Sequence, residues 1–352
     1  MLDIALISDI DDFAKLRGEW SDLVNRCHPN HVFMTWEWLF TWWRYFGHDR
    51  QLFIIVARDR NELIGLVPLM LAVYPRRHGD KVFSHARHLH FIGYRYEQSW
   101  NDCMDIPAIR KPEVIEAVLD CLKQHAHSWD FVDLWDLEDG SETLRCVIDS
   151  TRRAALPIIK NSPIHPRPYI LTTSDWQSYY RTEVSKNLRK NTERRIRRLQ
   201  EIGTLAFVKA EPMTLMSRLG VLFELYEKNE IARDKHVMFS QSAYQGFYRS
   251  LAQVCPFEWL DCPTLWLNRK VIAASFVWRY NSKLLDLTPA FDPDYAALSP
   301  GTVLLRYMIE DSFGDKKIRE YDFGWGDDAY KYDWTTMERQ ARRLLIGAPD
   351  LA

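Results

Sequence analysis

The sequence predicts an α/β protein made of two tandem units. Three observations point there. A length of 352 residues suffices for two domains of ordinary size. Strand-like and helix-like segments alternate along the chain, the α/β signature. The halves also echo each other: "RDRNELIGLVPLML" resembles "WLNRKVIAASFVWRY", and "DFVDLWDLEDGS" resembles "REYDFGWGDDAY". The boundary is expected at "NSPIHPRP", residues 161–168, where Pro163, Pro166 and Pro168 are expected to break regular structure. That divides the chain into 1–165 and 166–352.

The composition narrows the function. Apolar content of 47% supports well-filled cores, and the 14 Trp, 16 Tyr and 17 Phe are expected mainly as core rings. A net charge of −2 gives no global field toward DNA or an anionic membrane. The N-terminus "MLDIALISDIDDF" lacks a basic leader followed by a continuous apolar run, and no stretch approaches the ~18 apolar residues of a membrane span. A cytoplasmic location is expected. The six cysteines include no CxxC pair and no zinc-type set, so they read as reduced thiols.

In the first half, "DIALISDI" alternates as an edge strand, and residues 11–27 place Phe13, Leu16, Trp20, Leu23 and Val24 at helical spacing. "MTWEWLFTWWRYF" is a second helix, with Trp36, Leu39, Phe40 and Trp43 on one face. "QLFIIVARD", "ELIGLVPLMLAVYP" and "KVFSHARHLHFIG" are three strands joined by turns. His48, His78, His85, His88 and His90 invite a metal reading, and His88 and His90 share a strand face. No acid or cysteine stands at ligand spacing, so no metal is expected. "NDCMDIPAI" is a short strand before a helix over residues 112–127, "FVDLWDLEDG" is the next strand, and Ser141 caps a helix through Ala155.

The second half opens with "YILTT" and then "SKNLRKNTERRIRRLQEIG", residues 185–203, a helix between a Ser185 cap and Gly203. Leu188, Thr192, Ile196 and Leu199 form its apolar stripe, and the rest is dominated by Lys and Arg. That face is either plain solvated charge or an approach for an anionic substrate, a CoA phosphate or an acyl carrier protein. No helix-turn-helix or finger accompanies it, which argues against DNA. A long amphipathic helix follows and ends in Glu230, Arg233, Asp234 and His236. Arg233 and His236 are candidate acceptor contacts, with a salt-bridged loop as the plain alternative. Beyond a second helix from Ala243, strands fall near residues 258–260, 265–268, 271–280 and 283–290.

Residues 283–334 carry the chemistry. Ser299-Pro300-Gly301 opens a helix just after a strand, Ser299 suiting the N-cap and Pro300 the first position. Such a start aims free N–H groups and a partial positive charge at the strand's crevice, where phosphate is the usual guest. The next strand holds Asp322, turns through Gly324 and Gly326, and leaves Asp327, Asp328, Tyr330, Lys331 and Trp334 at its exit.

"FDPDYAALSPGTVLL" followed a helix later by "YDFGWGDDAYKYDW" resembles the C-terminal half of the CelD-type, or BcsL-type, branch of the GNAT acyltransferases, which has a Fem-like double-domain relative. The likeness covers roughly residues 180–345. It implies two tandem GNAT-like domains, each a mixed, mostly antiparallel sheet flanked by helices. The usual Gln/Arg-x-x-Gly-x-Gly/Ala acyl-CoA signature is absent, and only Ser299, Pro300, Gly301 and Thr302 occupy that turn. The resemblance implies an acyl-CoA or acetyl-CoA donor at this turn. It further implies direct transfer, without an acyl-enzyme, to an amine or hydroxyl acceptor on a polysaccharide, envelope precursor or small metabolite.

Asp322, Asp327, Tyr330 and Lys331 are the catalytic candidates, with Asp286 a further candidate base and Tyr295 a further candidate acid. Asp286, Tyr295 and Trp334 join Arg233 and His236 as candidate substrate contacts. For Asp322, a structural role, capping or pairing with Lys331, is the alternative. The first half lacks a Ser-Pro-Gly helix start and is expected to be degenerate. Two other readings stay open: a Fem-like transferase using aminoacyl-tRNA, and a non-catalytic scaffold.

Overall fold

The computed structural model describes residues 2–78, 81–95, 98–99, 103–232 and 241–349. Its elements run β1 (Asp3–Ile7), α1 (Ile10–Lys15), α2 (Arg17–Arg26), α3 (Trp36–Phe46), β2 (Gln51–Asp59), β3 (Glu62–His78), β4 (Lys81–Phe91), β5 (Tyr94–Arg95) and β6 (Gln98–Ser99). Then come α4 (Lys111–Gln124), β7 (Phe131–Glu138), α5 (Glu142–Arg153), β8 (Ile158–Leu171), α6 (Trp176–Thr182), α7 (Lys186–Ile202) and β9 (Leu205–Val208). The chain continues with α8 (Leu215–Ala232), α9 (Ser242–Val254), β10 (Leu260–Asp261), β11 (Thr264–Leu267), β12 (Lys270–Tyr280) and β13 (Lys283–Phe291). It closes with α10 (Pro300–Gly314), β14 (Glu320–Asp322), α11 (Ala329–Tyr332) and β15 (Glu338–Gly347).

Two compact units result: Met1–His165 with Arg339–Ala352, and Pro166–Glu338. The final segment therefore belongs with the first half and not with 166–338. The reason is pairing, since β15 runs antiparallel to β7 from Ala341 opposite Glu138 to Gly347 opposite Phe131.

In the first unit β1, β2, β3 and β4 form an antiparallel meander, β7 joins β4 in parallel, and β15 follows. The expected helix over 11–27 is two helices that meet at Leu16, with Asp9 capping the first. On α3 the fully buried rings are Trp38 and Trp42, while Trp43 is only half-buried. Trp36 stacks on Phe40 at 4.3 Å, and the buried Trp20 indole donates to the Met34 carbonyl at 2.8 Å. Ser141 does cap α5, accepting from the Leu144 N–H.

Gly65 of β3 lies directly beneath Val114 of α4: a Cβ there would fall 2.4 Å from Val114 Cγ1. Valine is stiff at χ1 and has no way to swing aside. Gly65→Ala is expected to lower the stability of this unit by about 1–3 kcal/mol, an overpacking cost read by urea unfolding.

The prolines of 161–168 do not interrupt the backbone, because β8 runs straight through them. Pro166 and Pro168 lie two apart and so present the same strand edge, where they act only as acceptors: Gly326 N–H bonds Pro166 O at 2.9 Å and Phe323 N–H bonds Pro168 O at 3.1 Å. A partner that supplies the donors makes the missing N–H groups harmless.

The second unit orders β8, β14, β13, β12, β11 and β9, with β10 also on β12. β12 and β13 form a hairpin whose turn residues Asn281 and Ser282 both have positive φ, 48° and 62°, the pattern of a type I′ turn. One face is covered by α6, α7 and α10, burying Trp176, Ile196, Leu199, Val303, Leu304 and Met308 against Ile272, Val277 and Tyr321. α8 and α9 cover the other, where Tyr248 packs edge-on to Phe276 at 5.0 Å. No helix among the described residues is long and apolar enough to cross a membrane.

Candidate active site

A gap opens beside β13. This strand pairs antiparallel with β12 along its whole length, but pairs in parallel with β14 only over Lys283–Leu285 against Glu320–Asp322. β14 then ends, and Gly324 (φ 69°) and Gly326 (φ 105°) carry the chain toward β8. These left-handed conformations favour glycine. From Asp286 onward, the β14-facing edge of β13 has no strand partner among the described residues. A bulge kinks β13 at the same place, since Phe276 opposes Thr288 while Val277 opposes Asp286, leaving Leu287 as the extra residue.

α10 starts at the far end of this edge. A Cβ on Gly301 would have Phe291 Cδ1, the last residue of β13, as its nearest neighbour at 3.4 Å, so the turn has space above it. Pro300 takes the first helical position, as expected. Ser299 stands at the N-cap but in the left-handed region (φ 46°, ψ 58°), and its side chain makes no capping bond. The expected hydroxyl cap is thus replaced by backbone: the Ser299 carbonyl accepts from the Thr302 and Val303 N–H groups at 3.1 and 3.3 Å. Gly301 and Thr302 are half-buried.

Asp286 sits where the gap begins. Only 7% exposed, it accepts from Ser275 Oγ at 2.5 Å and from the Tyr321 hydroxyl at 3.0 Å. Burial pushes the Asp286 carboxyl above the usual carboxylate range, with the two hydroxyls pulling the other way. Lys331 acts on it electrostatically in the same stabilising sense. Burial, then the Asp286 charge, holds the Tyr321 phenol well above its ordinary value. Tyr330 is raised for the same reasons, although its residue is 44% exposed at the mouth.

The structure therefore brings Asp286, Tyr330 and Lys331 together, and adds Ser275 and Tyr321, which the sequence did not single out. Tyr321 had a readable signal: it shares strand parity with the core residue Phe323 and flanks Asp322. Lys331 is a peg under the glycine turn. Its buried ammonium donates to the carbonyls of Trp325, Gly326 and Gly324 at 2.5, 3.4 and 3.5 Å, and pairs with Asp328 at 3.3 Å.

Other candidates lie elsewhere. Asp322 is buried, and its Oδ1 accepts from the Gly324 N–H at 2.9 Å, a local turn role. Asp327 is exposed. Trp334 is 1% exposed within the core, and its carbonyl accepts from the Tyr179 hydroxyl at 2.5 Å, so its ring is not on a substrate surface. Tyr295 sits in the turn before α10 with the Lys270 ammonium 4.9 Å from its ring centre, and Lys270 pairs with Asp292 at 2.7 Å. Arg233, Asp234 and His236 lie outside the described residues.

The first unit handles the equivalent place differently. β7 continues past β4, but Met104 takes its free edge: the Met104 N–H donates to Asp136 O at 3.0 Å, and Met104 bridges Leu137 in parallel. Residues around Met104 had been expected as a strand and form only isolated bridges. Behind them Lys111 is buried between Asp105 and Thr143, at 3.1 and 2.7 Å. The structure also supplies the acid that seemed missing beside His88 and His90. It comes from the neighbouring strand, because Asp133 pairs in register with His90. The three offer ligand atoms within 4.8 Å of one another. Both Asp133 oxygens are already held by Arg343, at 2.7 and 2.6 Å, so a cation there competes with a guanidinium.

Residues 186–332 match the family model described as an acetyltransferase (GNAT) domain. The second unit has the GNAT-type fold. The whole chain is similar to solved structures. FemX covers 96% of each chain with a TM-score of 0.62 at 10% identity. L-PGS from Bacillus licheniformis covers 95% of this chain and 92% of its own, with a TM-score of 0.56 at 11% identity. A tandem GNAT protein from the clavulanic acid biosynthesis pathway covers 99% of each, with a TM-score of 0.51 at 10% identity. No curated protein sequence matches the chain. The fold of these neighbours is the mixed, mostly antiparallel sheet flanked by helices predicted for this chain.

Proposed function

We propose that the second unit is an acyltransferase that takes an acyl-CoA donor in the β13–β14 gap and delivers the acyl group directly to an amine or hydroxyl. The observation that carries this reading is the unpaired, bulged edge of β13 leading from Asp286 to the open N-terminus of α10. An extended pantetheine-like chain can pair with such an edge, and the helix start suits its pyrophosphate. Backbone N–H groups of the edge polarise the thioester carbonyl. Asp286 takes the acceptor's proton, its raised pKa making it a better base than an ordinary carboxylate. Tyr330 stays protonated at neutral pH and donates to the departing thiolate.

Holding donor and acceptor side by side is worth about 7–11 kcal/mol, so no covalent acyl-enzyme is needed. The acceptor class we infer is the one implied by the CelD/BcsL resemblance: a polysaccharide, an envelope precursor or a small metabolite. The first unit is proposed to lack a donor site, because its own backbone at Met104 lies along the corresponding edge. A second reading, a Fem-like transferase drawing on aminoacyl-tRNA, is favoured by the Lys- and Arg-rich face of α7.

Gly301→Glu tests the donor site. It puts bulk and negative charge where the pyrophosphate is to sit. Thermal protection by acetyl-CoA is expected to disappear in this variant while its ligand-free melting stays near wild type. Equal protection in both proteins would remove α10 from the donor site.

A further inference from the structure

A cation-rich surface is formed by α6 and α7. The two helices flank an open cleft of about 880 Å³ whose lining includes Tyr180 and Arg181 from α6 and Arg189, Lys190, Arg194 and Arg197 from α7. Against these five cations stands one lining carboxylate, Glu193. That carboxylate is already engaged, accepting from the Tyr180 hydroxyl at 3.2 Å with Arg306 Nε at 3.9 Å. Arg189 donates to the Val184 carbonyl at 3.1 Å. Among the described residues, Arg181, Lys190, Arg194 and Arg197 have no carboxylate within ion-pair distance.

Such a face costs the helix something. Lys190 and Arg194 stand at i and i+4, where like charges are destabilising, and Arg197 lies on the same side. The opposite stripe is occupied, since Thr192, Ile196 and Leu199 are buried. The cations are therefore held around the cleft by the packing of α7, with the already engaged Glu193 as the one carboxylate in the lining.

We propose that the α6–α7 cleft binds a small ligand bearing two or more neighbouring phosphate groups. Its volume is within the ~300–1,000 Å³ of small-molecule sites. Four of its five cations are arginines, whose planar fork matches phosphate oxygens two at a time. A protein partner such as an acyl carrier would instead be met by a flatter face with an apolar centre, and Tyr180 is the one aromatic side chain in the lining. The phosphates have two possible sources, the tail of the acyl donor or a separate nucleotide.

Calorimetric titration of the full chain with inorganic pyrophosphate, ADP and CoA, against sulfate at matched ionic strength, tests the proposal. Pyrophosphate and ADP are expected to bind at least tenfold tighter than sulfate. The double variant Arg194→Glu/Arg197→Glu, at two exposed positions, is expected to lose at least tenfold of that affinity with an unchanged melting curve. Displacement of ADP by CoA would assign the phosphates to the donor's tail, and simultaneous binding of both would assign them to a separate nucleotide. Pyrophosphate and ADP no better than sulfate, equal affinity in the double variant, or saturable binding confined to RNA or an acidic carrier protein would each overturn the proposal.

Discussion

Asp286→Asn is expected to reduce acyl transfer by about 10²–10⁴-fold, the usual contribution of a general base, without lowering thermal stability. The two halves of that expectation share one cause. Burial raises the Asp286 pKa in the folded protein. A carboxyl whose folded pKa lies above its unfolded value favours folding most when protonated, and that contribution is lost as pH rises through the folded pKa. Whenever it is ionised, the side chain is therefore a burden on the fold, and the neutral amide relieves it. Ser275 and Tyr321 donate to Asp286 through hydroxyls, which rotate to accept from the new amide. Thiol release from acyl-CoA with the cognate acceptor measures the rate. The wild-type rate should fall on the acid side as Asp286 becomes protonated, and the variant should lose that limb. A variant with full activity would assign the base elsewhere; one that melts far lower would make Asp286 a structural residue.

Acidification is expected to destabilise the first unit well before its carboxylates titrate. His90, 1% exposed, has its pKa pushed down from 6.5 to about 3, burial being the main cause and the neighbouring Asp133 opposing it. A group with a depressed folded pKa supplies stability above its unfolded pKa, and that stability drains away as pH falls toward the folded value. The window for His90 runs from about pH 6.5 down to about 3, at up to about 1.4 kcal/mol per pH unit. The ceiling is therefore about 5 kcal/mol. Asp133, held near 2 with His88 and Arg343 outweighing its burial, adds its own loss only below the ordinary aspartate range. His90→Phe keeps a ring against Tyr94, which His90 stacks on at 4.4 Å. Urea unfolding at pH 7, 6 and 5 should show a steep decline in wild type and a flat profile in the variant. Equal slopes in the two proteins would place the acid sensitivity elsewhere.

Much of the fold was legible in local pattern. Ser185 and Ser141 announced their helices as caps, and Thr192, Ile196 and Leu199 of the α7 stripe are buried, with Leu188 half-buried at its start. Failures cluster where a distant partner decides the outcome. Three prolines read as a break, yet β8 passes through them because Gly326 and Phe323 bring the donors. The C-terminal strand leaves its sequence neighbours for β7, a choice made by register. His88 and His90 seemed to lack an acid because Asp133 lies 43 residues beyond His90 and arrives only through the parallel pairing of β4 with β7.

The site was legible as a region and less so as residues. Ser-Pro-Gly and the two glycines mark the turns that open the gap. Asp322 drew notice for its place on the strand, but its Oδ1 accepts from the Gly324 N–H. Asp286 acquires its environment from Ser275 and Tyr321, on two other strands, which no single stretch of sequence displays. Trp334 looked like part of an exposed exit and instead fills the core.

The most direct test of the acyl-CoA assignment is a thermal-shift titration of the purified full chain with CoA, acetyl-CoA and longer acyl-CoAs. A ligand at about 100 times its Kd stabilises the folded state by about 2.7 kcal/mol. A saturable rise in melting temperature that depends on acyl chain length is the predicted result, and places the donor in the protein. Unchanged melting with every thioester would contradict it.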